Sequence, residues 1–270
     1  MGIQFTQEVA EWYDDYRATF YNYEVDAETA TETIRKFRSD AKRILEVGVG
    51  TGAFAIALAK RGFEVDGIDN SPFMLEVAKK KIDKEGRRLS RRINLNPRRC
   101  ENMNLEGAKK FMPPYAAAVS HGLFLLIGQR GGLAYASYIL DRENNQAAFR
   151  RINAYLREDP KTNSPGLLLI NTIRDYRPER TSRDPVPIEG KGTWNVDVAL
   201  SEYDKNGRAE LRTTYRHTTP EGREKTYPFV KYVFPKEAMD VDLRTAGFEF
   251  VDHVLDKTGN RGFCVYQKRV

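Results

Sequence analysis

The chain has 270 residues, of which 30% are charged and 40% hydrophobic, with a formal net charge of +6. That length and balance suit one large domain with a sizeable core and exclude a disordered chain or a small disulfide-dense scaffold. Two cysteines, Cys100 and Cys264, lie far apart without metal-ligand neighbours, so free thiols are expected rather than a zinc site. Residues 1–40 are charged throughout, and no apolar run has the length of a membrane span, so a cytoplasmic location is expected.

Residues 1–40 read as two helices forming a cap. Tyr13, Tyr16, Phe20 and Tyr23 recur at helical spacing and put four aromatics on one face. Asp26 suits the N-cap of a second helix that ends near Phe37.

The run Ile44-Leu45-Glu46-Val47-Gly48-Val49-Gly50-Thr51-Gly52 is an apolar strand ending in a carboxylate and three glycines at alternate positions, followed by a helix from Ala53 to Lys60. Such glycines let the backbone turn sharply and approach a ligand, and the helix that follows points its free N–H groups at the same spot. Gly48-x-Gly50-x-x-Ala53 also satisfies a loose dinucleotide fingerprint. Glu46 argues against that reading. A carboxylate there would repel a pyrophosphate, but it suits S-adenosylmethionine, which carries an ammonium and a cationic sulfur.

A second strand, Glu64 to Ile68, ends in Asp69, 21 positions after Gly48, where a βαβ unit delivers an acid to ribose hydroxyls. Ser71 then suits an N-cap and Pro72 the first helical position, with Leu75, Ala78 and Ile82 at helical spacing. Residues 79–99 hold ten Lys or Arg against two acids, a local charge of +8 that leaves the rest of the chain at −2. That segment is read as a solvated helix end and loop, with an RNA or phosphate footprint as the alternative.

Strands are expected near Ile93–Leu95 and Ala116–Ser120, helices over Leu133–Asp141 and Asn145–Leu156, and a buried strand at Gly166–Ile170. Arg174 to Gly192 is polar and proline-bearing, as in a loop or lid. Alternating segments at Trp194–Leu200, Ala209–His217 and Thr226–Phe234, joined by turn signals, predict an inserted antiparallel meander. A helix from Pro235 to Ala246 and a hairpin, Phe248–Leu255 with Phe263–Lys268, close the chain. The expected fold is α/β: a doubly wound, Rossmann-like sheet of seven mostly parallel strands. In domain terms, one unit spans 1–270, with a cap over 1–40, a cofactor-binding core over 41–173 and 235–270, and the lid and β insertion over 174–234.

Glu46 to Gly52 resembles the first motif of the class I S-adenosylmethionine-dependent methyltransferases, and Gly67-Ile68-Asp69-Asn70-Ser71-x-x-Met74-Leu75 resembles their second. The order of elements, with the Tyr13-Asp14 pair, the meander and the final hairpin, is similar to the small-molecule N-methyltransferases acting on amino sugars, glycine or sarcosine. The resemblance implies Glu46 near the methionine end of the cofactor, Gly48, Gly50 and Gly52 beneath it, and Asp69 with Asn70 at the ribose. Ser120 would face the methionine end. Glu101-Asn102-Met103 falls where such enzymes often carry an Asp-Met pair at the adenine, with either Asn102 or Glu101 as the acceptor. S-adenosylhomocysteine would be the product, and no metal is implied.

The acceptor is read as a small polar molecule, methylated at nitrogen. Methylation at oxygen or carbon, or of RNA, and a non-catalytic nucleotide-binding role remain as alternatives. A neutral amine attacks without prior deprotonation, whereas an alcohol needs a base in contact. Tyr13 and His121 are the catalytic candidates; Tyr16, Arg174 and His217 are candidates for holding the acceptor, against packing roles or surface exposure. No membrane partner is expected, and the chain is taken as a monomer or homodimer.

Overall fold

The structure, a computed structural model, describes residues 5–18, 22–106, 108, 110–129, 132–139, 141–174 and 185–269. In chain order, the first half comprises α1 (Gln7–Ala18), α2 (Tyr23–Phe37), β1 (Arg43–Val47), α3 (Ala53–Lys60), β2 (Glu64–Asp69), α4 (Pro72–Lys84), the short α5 (Arg87–Ser90), β3 (Ile93–Pro97) and β4 (Ala117–Ser120). Then come β5 (Phe124–Gln129), β6 (Gly132–Ser137), α6 (Arg142–Ala154) and β7 (Leu167–Ile173). The remainder is β8 (Val186–Ile188), β9 (Gly192–Leu200), β10 (Ala209–Thr218), β11 (Glu224–Pro235), α7 (Lys236–Thr245), β12 (Phe248–Leu255) and β13 (Arg261–Lys268). Among the described residues no helix is long and apolar enough to cross a membrane.

Seven strands pair in the order β3-β2-β1-β4-β7-β13-β12, parallel from β3 to β7 and antiparallel in the final hairpin. Each face of the sheet buries a layer of helices. Ile44, Val65 and Leu169 pack with Ala30 and Ile34 of α2 and Phe54 and Leu58 of α3. On the other face, Leu45, Leu168 and Tyr266 pack with Phe149 and Ile152 of α6 and Met239 and Leu243 of α7. The parallel strands are apolar almost without alternation because both of their faces are covered.

A second, antiparallel run grows from the same sheet. β5 pairs with the C-terminal end of β7 at Thr172 and Ile173, and then β6, β11, β10, β9 and β8 follow in order. The expected helix over Leu133–Asp141 is therefore absent: Leu133 to Ser137 lie in β6, between β5 and β11. Its alanines and leucine suit a helix locally, but two flanking strands supply backbone partners, and tertiary pairing overrides propensity. The N-terminal aromatics also divide. Tyr23 opens α2 rather than extending α1, and Phe20 lies outside the described residues. Asn22, not Asp26, caps α2, its side chain accepting from Glu24 N and Val25 N.

Arg38, fully buried at the end of α2, ties the cap to the core. Its Nη1 donates to the carbonyls of Ala116 (3.3 Å), Arg157 (2.7 Å) and Pro165 (3.1 Å), while Nε and Nη2 clasp Asp40. The Arg38 hydrogen bonds hold the Asp40 carboxyl below its ordinary range. Replacing Arg38 with methionine keeps the bulk but strands the Arg157 and Pro165 carbonyls, while Ala116 keeps the Leu167 N–H. Arg38→Met is expected to cost about 3–5 kcal/mol, the range for breaking a buried charged contact from one side. Urea unfolding of the variant checks it, and a loss below about 1 kcal/mol would show that water replaces the guanidinium.

Candidate active site

Strand order reverses between β1 and β4, which is where open α/β sheets bind ligands. A cavity of about 340 Å³ opens there, with Gly48 and Gly50 after β1, Asp69 and Asn70 after β2, and His121 after β4 in its wall. A second hollow of about 290 Å³ lies between α7 and the final hairpin, remote from these residues.

The glycine turn is held by backbone geometry. Gly48 and Gly50 adopt φ of +79° and +53°, and the N–H groups of Gly48 and Val49 both donate to the Ile68 carbonyl at 2.9 Å. A Cβ on Gly48 would stand 2.7 Å from Leu123, itself a wall residue, so any side chain would push into the cavity. Gly67 serves the same turn from below, since a Cβ there would meet Val49 at 2.8 Å. Gly52 has another place. It caps α3 and packs over Ala78, away from the cavity wall.

Asp69 joins two turns. Its Oδ2 accepts from Gly50 N–H at 2.9 Å and its Oδ1 from Ser71 N–H at 2.8 Å. Burial raises its carboxyl, and these bonds oppose the rise. Ser71 caps α4 as expected, its Oγ accepting from Met74 N–H. Glu46 is buried at the end of β1, and its Oε2 has no hydrogen-bond partner among the described residues. Burial, and then the charge of Asp69, raise Glu46 well above the ordinary carboxylate range. Asp69 in the wall, with Glu46 close enough to feel its charge though outside the lining, makes this end of the cavity acidic, and among the described residues no cation pairs with Glu46. A ligand offering an ammonium and ribose hydroxyls fits that donor deficit, whereas a pyrophosphate does not.

The N-terminal segment roofs the cavity. Phe5 and Tyr13 stand in its wall, and Phe5 meets Tyr13 and Tyr138 edge-on at 5.7 and 5.3 Å. Asp14 accepts from Thr51 Oγ1 in the glycine turn and pairs with Lys81 of α4, so α1 is fastened to the floor it covers. His121 is buried with its Nε2 2.9 Å from Asp26 Oδ2 and its ring stacked on Phe54 at 4.4 Å. Arg261 approaches the same Asp26 oxygen at 3.4 Å. Asp26 therefore anchors His121 from inside α2, a role that its apparent capping position concealed.

Several sequence candidates lie elsewhere. Tyr16 is 3% exposed and packs among Trp12, Trp194 and Tyr215, in the seam between α1 and the meander. His217 stacks flat on Trp194 at 4.1 Å and contacts the Lys191 carbonyl, outside the cavity wall. Arg174 is exposed beyond β7, its N–H donating to the Asn260 carbonyl. Ser120 is buried, its Oγ accepting from Phe124 N–H at 3.1 Å to close the turn into β5. Met103 is wholly buried in the core and Asn102 is exposed, while Glu101 reaches the wall with Arg98, Arg99 and Cys100. Cys100–Asn102 form a 3₁₀ turn whose adjacent residues are about 120° apart, so a motif one position out of step turns a different side chain inward. Tyr138 and Leu123 in the wall had no sequence signal, because β5 and β6 were not foreseen. Much of the basic surface on α4 is paired internally: Lys79 with Asp83, Lys80 with Glu76 and Lys81 with Asp14.

Residues 44–117 match a family model described as a methyltransferase domain. A protein of Geobacillus sp. (strain WCH70), provisionally named a methyltransferase, is 30% identical over 149 residues, which are 55% of this chain and 49% of that relative. The chain thus spans about half the length of that curated relative. Among solved structures, the SAM-bound CalS10, an amino pentose methyltransferase from Micromonospora echinaspora involved in calicheamicin biosynthesis, is similar with TM-score 0.68 and 20% identity. The similarity covers 95% of this chain and 96% of that one. KedS8, a sugar N-methyltransferase from Streptoalloteichus sp ATCC 53650, is similar with TM-score 0.65 and 20% identity over 96% of this chain and 93% of its own. The chain shares its fold with these solved methyltransferases.

Two substitutions at the acidic end of the cavity separate its charge from the scaffold. A carboxyl raised on folding costs stability as pH rises above its unfolded value, and that cost is absent in acid. Glu46→Gln is therefore expected to raise the melting temperature of the ligand-free protein at pH 7–8 but not below pH 4. The same change should weaken S-adenosylmethionine binding by about 1.5–3 kcal/mol. Asp69→Ala should lose a similar amount of affinity and, by stranding Gly50 N–H and Ser71 N–H, should also lower stability. Calorimetric binding and thermal melts check both; unchanged affinity in either variant would remove that residue from the site.

Proposed function

We propose that the protein is an S-adenosylmethionine-dependent methyltransferase that methylates a small polar acceptor at an amine nitrogen. The observation that carries this reading is the acidic pair at the strand-order reversal: Asp69 in the cavity wall beside the glycine turn and, near it but outside the lining, buried Glu46 with an oxygen that has no hydrogen-bond partner among the described residues. When bound, S-adenosylmethionine supplies a methyl group on a cationic sulfur. Glu46 would hold its ammonium, and Asp69 its ribose hydroxyls. Glu101 or Asn102 would meet the adenine, and Glu101 is the one standing at the wall.

The remaining residues orient and exclude. Phe5 and Tyr13 cover the cavity and keep water from the reacting groups. The Tyr13 hydroxyl and the His121 ring, the latter braced by Asp26, are the polar groups suited to orienting an acceptor amine. A neutral amine needs no base before it attacks, so positioning supplies most of the rate. The amine sheds its proton afterwards. The names of CalS10 and KedS8, for an amino pentose and a sugar nitrogen, support nitrogen over oxygen. The internal pairing along α4 favours a small acceptor over RNA.

Isothermal calorimetry should show saturable binding of S-adenosylmethionine and S-adenosylhomocysteine and no comparable affinity for NAD; NAD binding without a response to S-adenosylmethionine would overturn the reading. Once an acceptor is found by labelled methyl uptake from a panel of amines, Tyr13→Phe should lower kcat tenfold or more, on the order of 1.4 kcal/mol. Cofactor affinity should stay near wild type. Full turnover by that variant would return Tyr13 to packing alone.

A further inference from the structure

Lys231 lies on β11 in the row Tyr227, Phe229, Lys231, which alternation along a strand places on one face. Tyr227 packs on Trp12 and Phe229 on Phe5, so this is the face that α1 and the N-terminal segment cover. Lys231 Nζ donates to the Gly122 carbonyl at 3.2 Å and stands 4.4 Å from the centre of the Tyr138 ring. Gly122 and Tyr138 are both cavity wall residues, and Gly122 follows His121 directly. Lys231 is itself outside the lining, and its ammonium stands against these two wall residues, next to His121.

Its surroundings are unusual for a lysine. Among the described residues no carboxylate pairs with it; the neighbouring β10 strand presents Leu211 opposite it, and the turn after β6 presents Tyr138. The charge that acts on it is a second cation, Arg17 of α1, whose guanidinium lies 5.5 Å from the centre of the Tyr13 ring. Burial, and then Arg17, pull the Lys231 ammonium down to about 7. A packing role would be served better by methionine, because a desolvated amine lacking a counter-charge costs stability. Two cations behind the roofed wall also contrast with the acidic pair of Glu46 and Asp69.

We propose that Lys231 is a specificity residue that binds an anionic group, a carboxylate or a phosphate, on the amine methylated in this site. The proposal rests on the methyltransferase reading above and adds the class of acceptor. Binding an anion restores the ammonium to its charged form, so affinity for such acceptors is full below pH 7. It weakens by up to about tenfold per pH unit above that value.

The test uses protein saturated with S-adenosylhomocysteine and two matched pairs of probes: β-alanine against its amide, and O-phosphoethanolamine against ethanolamine. Calorimetry and thermal shift at pH 6.5 and 8.5 compare wild type, Lys231→Met and Lys231→Arg. The charged member of at least one pair is expected to bind tenfold or more tighter at pH 6.5, and the pair that responds identifies carboxylate or phosphate. Lys231→Met should erase the preference with S-adenosylhomocysteine affinity unchanged, and Lys231→Arg should keep it without the loss at pH 8.5. Equal binding of charged and neutral members, no binding by any probe, or a preference that survives Lys231→Met overturns the proposal. If Lys231→Met does not fold, the wild-type contrast decides alone. Failure of wild type to bind S-adenosylhomocysteine would instead overturn the methyltransferase reading, and the proposal with it.

Discussion

The Asp69 carboxylate, accepting from Gly50 N–H and Ser71 N–H, is the contact on which the floor of the cavity depends. It fastens the turn after β1 to the turn after β2 and to the start of α4. The peptide N–H groups that it satisfies would otherwise point into a desolvated space. Three backbone N–H groups, of Gly50, Ser71 and Asn70, act on its two oxygens, and a lone pair remains for a ligand hydroxyl. One side chain thus shapes the turn and offers the contact.

Charge is distributed unevenly around the cavity. Asp69 in the wall and Glu46 near it are the acidic groups at the glycine turn, and burial raises both carboxyls. Arg98 and Arg99 reach the wall near Glu101, where Arg99 pairs with that carboxylate at 2.6 Å. At the roof the cations are Lys231 and Arg17. A ligand spanning this space meets opposite fields along its length, which favours molecules carrying separated charges over neutral ones.

The roof is joined to both halves of the molecule. Trp12 and Tyr16 bury α1 against Trp194 and Tyr215 of the meander, and the salt bridges of Glu8 with Lys225 and Asp15 with Lys191 add rim contacts. Asp14 reaches the other way, to Thr51 and Lys81 of the core. Exposed ion pairs contribute little individually, so the aromatic seam supplies most of the attachment. The Asp14 contacts set where α1 sits over the floor.

The local signals were sufficient for the floor. An apolar strand, glycines at alternate positions, an acid ending the next strand and a Ser-Pro helix start are encoded within short windows, because turn geometry and capping depend on near neighbours. Gly48, Gly50, Asp69 and Tyr13, which stand in the cavity wall, were therefore singled out from the chain alone as candidates, and so were the meander and the final hairpin. The wall opposite depended on long-range pairing. Leu133–Ser137 became a strand because β5 and β11 flank it, and this brought Tyr138 to the cavity wall with Lys231 against its ring. Asp26 looked like a cap and became the partner of His121, 95 residues away. Tyr16 and His217 carried plausible chemistry, but the Trp194 seam claimed both. Residue type and spacing determine what a turn can do; which side chains face one another across a cavity is decided only when distant strands pair.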